Sequence, residues 1–207
     1  MKITFSVSTG EHSTTLTAIP GEIDGFPAIE RLEFSAIPSS VSSDRVAVAG
    51  ILAFGPYISG QVQFEEKISA LTAEIIARYM NPRWVHVTPL HPSNLPIPRG
   101  SQPIVIQNKI SPSPTDRQLV IVRNDRYEGS VIGMETSVIP SNAWLIDKLN
   151  GINQSSRFSS ELAVAVLMAE SLNISVIKMP SNDGLEPKRL HLLKQLLGAV
   201  GLGFETK

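Results

Sequence analysis

The chain has 207 residues, of which 42% are hydrophobic and 18% charged, and its formal net charge is −1 at pH 7. It contains no cysteine, which excludes disulfides, thiolate metal sites and cysteine nucleophiles. No apolar run approaches the roughly 18 residues of a membrane span, and the alternating first residues differ from a signal peptide. We therefore expect a soluble, cytoplasmic protein that does not enter a membrane.

The first third of the chain combines strands with one very apolar helix. Alternating apolar residues predict a hairpin of strands over 2–8 and 13–19, followed by a third strand over 29–37. A helix over 45–55 comes next, with a serine just before it as the N-cap. Its segment 46–54 is apolar on every face, which predicts burial on all sides.

The middle of the chain continues with a short strand over 59–64 and an amphipathic helix over 67–80. Glu74 and Arg78 form an i,i+4 pair on the polar face of that helix. A strand follows at 83–90. In that strand His86 would share a face with its neighbours at positions 84 and 88, which predicts a packed or hydrogen-bonded histidine.

The rest of the chain alternates between the same two patterns. The strand patterns lie at 103–107, 117–124, 129–134 and 174–179, with 129–134 expected beside 117–124. The helical patterns lie at 142–150, 159–172 and 186–200. The helix over 159–172 is almost wholly apolar, so we expect it to be covered on all sides, either by a sheet and another helix or by a second subunit.

Alternating strands and helices predict an α/β or α+β fold, with a mixed sheet covered by about four helices. The sequence divides into an N-terminal α/β half at 1–88, a Pro-rich loop at 89–116 that is free of acids as far as Asp116, and a C-terminal α/β half at 117–207. A single domain over 1–207 is the alternative.

A Pro-Ser motif recurs where strands end. Pro-Ser-Asn occurs at 92–94, 140–142 and 180–182, and Pro-Ser-Ser at 38–40. Proline ends a strand, and serine or asparagine caps the next helix, so turn and cap chemistry explains every copy. The alternative is a ligand site, because open α/β sheets bind ligands at the carboxyl ends of their strands.

Charge is unevenly distributed along the chain. Residues 1–74 carry nine acids and four bases, whereas no acid lies between Glu74 and Asp116. That basic stretch predicts a site for a small anion, such as a nucleotide or a phosphorylated metabolite. Solvated arginines, or arginines paired with the acidic N-terminal third, are the alternative. The candidate ligand-binding residues are Arg78, Arg83, Ser93, Asn94, Arg99 and Lys109.

Catalytic signals are weak. The acid or base candidates are His86, His91, Asp116 and Asp44, and no motif frames any of them. The two histidines are five residues apart, with no helix to bring them together and no carboxylate nearby, so no metal site is predicted. No cofactor is indicated.

Three hypotheses remain from the sequence. The first is an anion-binding protein, the second a non-catalytic subunit of a multi-protein complex or a homo-oligomer, and the third a hydrolase or transferase with dispersed acid and base residues. A sequence pI of about 6.4 does not favour a long nucleic acid as partner.

Overall fold

The computed structural model describes residues 1–93, 97–109, 116–150, 159–179 and 186–206, and within them it contains eleven strands and five α-helices. The strands are β1 (Lys2–Ser8), β2 (Ser13–Ile19), β3 (Arg31–Phe34), β4 (Gly60–Ser69), β5 (Val85–His91), β6 (Gln102–Gln107), β7 (Gln118–Arg123), β8 (Val131–Ile132), β9 (Thr136–Ser141), β10 (Ile174–Met179) and β11 (Gly203–Thr206). The helices are α1 (Ser43–Phe54), α2 (Ala70–Met80), α3 (Ala143–Asn150), α4 (Ser159–Leu167) and α5 (Pro187–Ala199).

These strands form one mixed sheet in the order β11-β10-β6-β7-β9-β3-β2-β1-β4-β5, with β8 paired to β9. From β9 to β11 the neighbouring strands on this path are all parallel. In the other half, β1, β4 and β5 are parallel, while β2 runs antiparallel to both β1 and β3. A mixed sheet with helices confirms the predicted fold class.

The helices predicted at 45–55, 67–80, 159–172 and 186–200 are confirmed as α1, α2, α4 and α5, although α4 ends at Leu167, before the predicted end at 172. Each begins where its sequence provides a cap or a suitable first turn. Ser42 accepts a hydrogen bond from the amide of Arg45 at the start of α1, and Ser69 does the same for Thr72 at the start of α2. Pro187 occupies the first turn of α5.

Three predicted details were wrong. The segment before α2 is strand as far as Ser69, because the apolar positions of a strand end and of a helix start overlap there. The short strand β8 pairs with β9 rather than with β7, whose parallel neighbours are β6 and β9. The last strand, β11, was not predicted from its four residues.

The two apolar helices are buried as predicted. In α1 every residue from Ala47 to Phe54 is buried, and in α4 the same holds from Ser160 to Leu167. The two helices pack against each other. The strands β1, β2 and β4 cover α1 further, while α3 and β6 cover α4, so elements of this chain alone bury both helices.

Parallel strands β1 and β4 are held together at their beginnings. The amino group of Met1 lies 2.5 Å from a carboxylate oxygen of Asp24 and donates to the carbonyl of Gln61 at 2.7 Å. Helix α1 approaches this end closely, since a Cβ at Gly50 would lie 2.7 Å from the Cδ1 of Ile3. Beyond Ile3 the two strands separate.

Candidate functional site

The basic residues of the acid-free stretch have several separate environments. Arg78 pairs with Glu74 at 2.8 Å on the exposed face of α2, as the i,i+4 spacing predicted. Arg83 donates from Nη1 to the backbone carbonyls of Gly55, at 3.1 Å, and Pro56, at 2.5 Å. Lys109 is exposed.

Arg83 and Arg99 lie toward opposite ends of α1. The carbonyls that hold Arg83 follow the last residue of this helix. Arg99 is exposed and follows Pro98, whose carbonyl accepts a 2.6 Å hydrogen bond from Arg45 near the start of the same helix. From Arg45 to Gly55 the helix rises roughly 15 Å. Arg83 and Arg99 are therefore too far apart to contact the same small ligand. The anion site itself stays a prediction.

The Pro-Ser junctions that the structure describes differ in role: the junction at 140–142 forms the turn before α3, whereas Ser39 and Ser40 contact Ser171 and Glu170 and the N-cap of α1 is Ser42. Ser141 donates from its hydroxyl to the carbonyl of Glu33 and accepts from the amide of Ala143. Asn142 accepts from the amide of Glu33 and donates to the carbonyl of Arg31, each at 2.8 Å, so its side chain extends the pairing of β3 with β9. Asn94 and the junction at 180–182 lie outside the described residues.

The acid and base candidates also differ in location. His91 contacts Ser93 through Nδ1 in a local turn. Asp116 lies 3.9 Å from Lys178. Asp44 is buried and accepts hydrogen bonds from the amide and hydroxyl of Ser69 and from the hydroxyl of Thr72, which joins the starts of α1 and α2.

Packing of His86 was predicted wrongly. His86 is exposed, and Trp84 just before it is 85% exposed, whereas Val85 and Val87 between them are buried. The reason is that β5 is the last strand of the sheet, and the face carrying His86 is uncovered. Across the described ranges, no group of three or more His, Asp or Glu side chains is placed to hold a metal ion.

A buried ion pair connects α1 to the end of α4. Arg45 Nη1 lies 3.0 Å from Glu170 Oε1, close enough for an ion pair although the atoms are not aligned for a hydrogen bond. Glu170 also accepts a hydrogen bond from Ser40. Burial lowers the pKa of Arg45, and the charge of Glu170 opposes that shift. With Pro98 and Val200 as further acceptors, Arg45 connects four segments.

Two buried carboxyl groups meet at the start of α4. Asp147 of α3 accepts a 2.9 Å hydrogen bond from the amide of Ser160. Burial raises the pKa of Asp147 from 3.8 to about 6, although hydrogen bonds from Ser160 and Glu161 oppose the shift. Burial, together with the charge of Asp147, raises the pKa of Glu161 from 4.5 to about 7.

A cleft with apolar lining lies between β1 and β4. It has a volume of about 190 Å³. We refer to it as the β1–β4 cleft. It is lined by Ile3, Phe5, Val7, Pro38, Val41, Ser43, Val46, Phe64, Glu65, Glu66 and Ile68. Apolar cavities of about 150 Å³ hold a benzene ring, so the cleft has room for one large apolar side chain.

The cleft exists because β1 and β4 pair over only two positions, Lys2 with Gln63 and Ile3 with Phe64. Beyond these, β1 stays paired to β2, while β4 turns toward α1, where the carbonyl of Lys67 accepts from the hydroxyl of Ser43. The connections also leave in opposite directions, from β1 to β2 and from β4 through α2 to β5. Ligands of open α/β sheets bind outside the carboxyl ends of strands at such a divergence.

The divergence leaves backbone groups of β1 available. The carbonyl of Met1 accepts from the amide of Gln63 at 2.9 Å, which fixes the odd-numbered residues as those whose peptide groups point toward β4. By the two-residue period of a strand, the amides and carbonyls of Phe5 and Val7 point the same way. In the part of the chain that the structure describes, no backbone partner meets them there.

The cleft was not predicted from the sequence. Strand β4 was expected to end at position 64, so Glu65 and Glu66 were not considered as strand residues beside β1. The residue that bears on the cleft in the sequence is Val7, which lies at the open end of β1 and is 41% exposed in the structure. Alternation alone assigns such a residue to the core.

Compared with known proteins, the chain matches no protein-family model, no curated protein and no solved structure. No helix within the described ranges is long and apolar enough to cross a membrane.

Proposed function

We propose that this chain is a subunit of a multi-protein complex and that it binds its partner through the β1–β4 cleft. The observation that carries the proposal is the open edge of β1, where the peptide groups of Phe5 and Val7 and an apolar cleft face the same space. Strand edges with adjacent side-chain pockets are the surfaces at which proteins add a strand from a partner.

The surrounding charges support a partner rather than a small anion at this place. Glu65 and Glu66 are exposed on the rim, and they are the charged residues among the described lining of the cleft. Carboxylates repel phosphate and other anions. An anionic ligand would instead need the basic residues of 78–109, which lie in separate environments.

Photo-crosslinking tests the proposal. Benzoylphenylalanine replaces Val7 in the cleft or, as a control, exposed Lys194 on α5 in the full chain, which is expressed in its native cell and irradiated. We expect one adduct of defined mass at position 7 and none at position 194. The partner identified by mass spectrometry should co-purify with the parent protein at fixed stoichiometry, but not with Val7→Asp.

Three results would overturn the proposal. Equal adducts at both positions would mean that contact with position 7 is non-specific, and no adduct at position 7 would mean that the cleft stays unoccupied. An adduct between two copies of this chain would show that the cleft binds a second copy, so that the protein is a homo-oligomer and not a subunit bound to a different protein.

A further inference from the structure

We infer that the occupant of the β1–β4 cleft is an extended segment of the partner, paired to β1, with an apolar side chain in the cleft and a lysine or arginine beside it. This inference rests on the proposed function and specifies the ligand class of the same site. Three features of the cleft lead to it: the spacing of the free peptide groups, the apolar lining and the charge of the rim.

The spacing of the free groups indicates an extended backbone. Phe5 and Val7 are two residues apart on β1, and each offers one amide donor and one carbonyl acceptor toward the cleft. An antiparallel partner strand satisfies all four groups with two of its own residues, since its peptide groups repeat with the same period. A helix uses its peptide groups internally and cannot do this.

The lining determines which side chain the segment carries. Phe5, Val41, Val46, Phe64 and Ile68 provide an apolar surface between the strands and α1. Burying an apolar side chain there removes it from water, and about 190 Å³ accommodates leucine, methionine or phenylalanine. A polar side chain would lose its hydration without a matching partner.

The rim determines the charge of the segment. Glu65 and Glu66 are both exposed beside the cleft, on the stretch of β4 between its two regions of pairing with β5. Residues 1–74 as a whole carry five more acids than bases. A cation on the segment is therefore attracted both by the local carboxylates and by the field of this half of the chain.

A phage-displayed library of random heptapeptides, selected on the full chain, tests the inference. We expect selected peptides to alternate apolar and polar residues and to carry lysine or arginine next to the apolar position. Fluorescein-labelled copies then allow affinities to be measured by anisotropy. N-methylation of the peptide amides that pair with β1 should weaken binding more than tenfold, whereas methylation of the alternate amides should change it less than twofold.

Charge variants test the rim separately. Glu65→Gln/Glu66→Gln should weaken binding of a lysine-containing peptide about fivefold at low salt and remove most of its salt dependence. The matched control, Glu128→Gln/Glu135→Gln, removes two exposed carboxylates beside β8 and should leave the affinity unchanged.

The outcomes distinguish this inference from the proposed function. If the selected peptides carried no cation and their affinities were unaffected by Glu65→Gln/Glu66→Gln, the charged ligand class would be overturned. A crosslink at position 7 would still support the proposal that the chain is a subunit of a complex. A crosslinked partner together with no selected peptide would overturn the extended segment, because the partner would then dock as a folded surface. Peptides whose affinity is unaffected by N-methylation at every position would overturn the pairing with β1.

Discussion

Two parallel strand pairs in this sheet differ in how far they remain paired. Strands β7 and β9 pair over six positions, from Gln118 with Thr136 to Arg123 with Ser141. Strands β1 and β4 pair over two and then separate. The comparison shows how one sheet can combine a closed half, in which β7 and β9 use their backbone groups to pair with each other, with an open edge that offers the same groups to another molecule.

The closed half depends on α4, which has no exposed face. Val166 is 0% exposed and lies in the last turn of that helix. Val166→Asp buries a charge without a partner, so we expect the free energy of unfolding to fall by about 3–5 kcal/mol. Urea unfolding followed by circular dichroism measures the change.

The same substitution in the open half sharpens the comparison. Val7 is 41% exposed at the cleft, so the carboxylate of Val7→Asp remains in water and should cost about 1 kcal/mol or less. Similar losses for both variants would contradict the distinction between a closed and an open half.

The buried carboxyl groups at the start of α4 give the closed half a pH dependence. A carboxyl whose pKa is higher in the folded than in the unfolded state binds more protons when folded, so stability falls as pH rises between the two values. For Glu161 these values are about 4.5 and about 7. Its ionisation should therefore cost about 2–3 kcal/mol of stability between pH 4.5 and pH 8.

Replacing the carboxyl isolates this contribution. Glu161→Gln should lose less stability than the parent over that pH range, with the largest difference near pH 8, in urea titrations at each pH. Glu128→Gln removes an exposed carboxylate near β8 and provides the control, with the pH dependence of the parent. An identical slope for the parent and Glu161→Gln would show that the buried pair does not control this pH dependence.

Local pattern was enough to predict most of the elements, although not β11, and it did not predict their pairing. The helices α1 and α4 were recognised because a helix that is apolar on every side is stable in water only when it is completely buried. The cleft depends instead on where β1 and β4 part, and there both strands contact α1, β1 at Gly50 and β4 at Ser43. The periodicity of apolar residues within one element carries no information about such contacts between elements.

The basic residues also show how little local sequence says about which residues meet in space. Their clustering in sequence was real, yet Arg83 is held by the carbonyls of Gly55 and Pro56, while Arg99 follows a segment fixed by Arg45. Sequence proximity of charges predicts a local field, whereas a binding site requires that the chain return them to one place.

The smallest expected effect concerns Arg99 and the anion hypothesis. Arg99 is exposed, so Arg99→Ala should change stability by less than about 0.5 kcal/mol. That small cost makes the variant a clean probe of anion binding, because thermal shifts with millimolar phosphate or nucleotides can be compared directly with those of the parent. Glu65 and Glu66 exclude anions from the β1–β4 cleft, so we expect no anion to stabilise either protein through that surface. A stabilisation present in the parent and lost in Arg99→Ala would instead place an anion beside Arg99, near the start of α1. The open edge of β1 would then be one of two binding surfaces rather than the principal one.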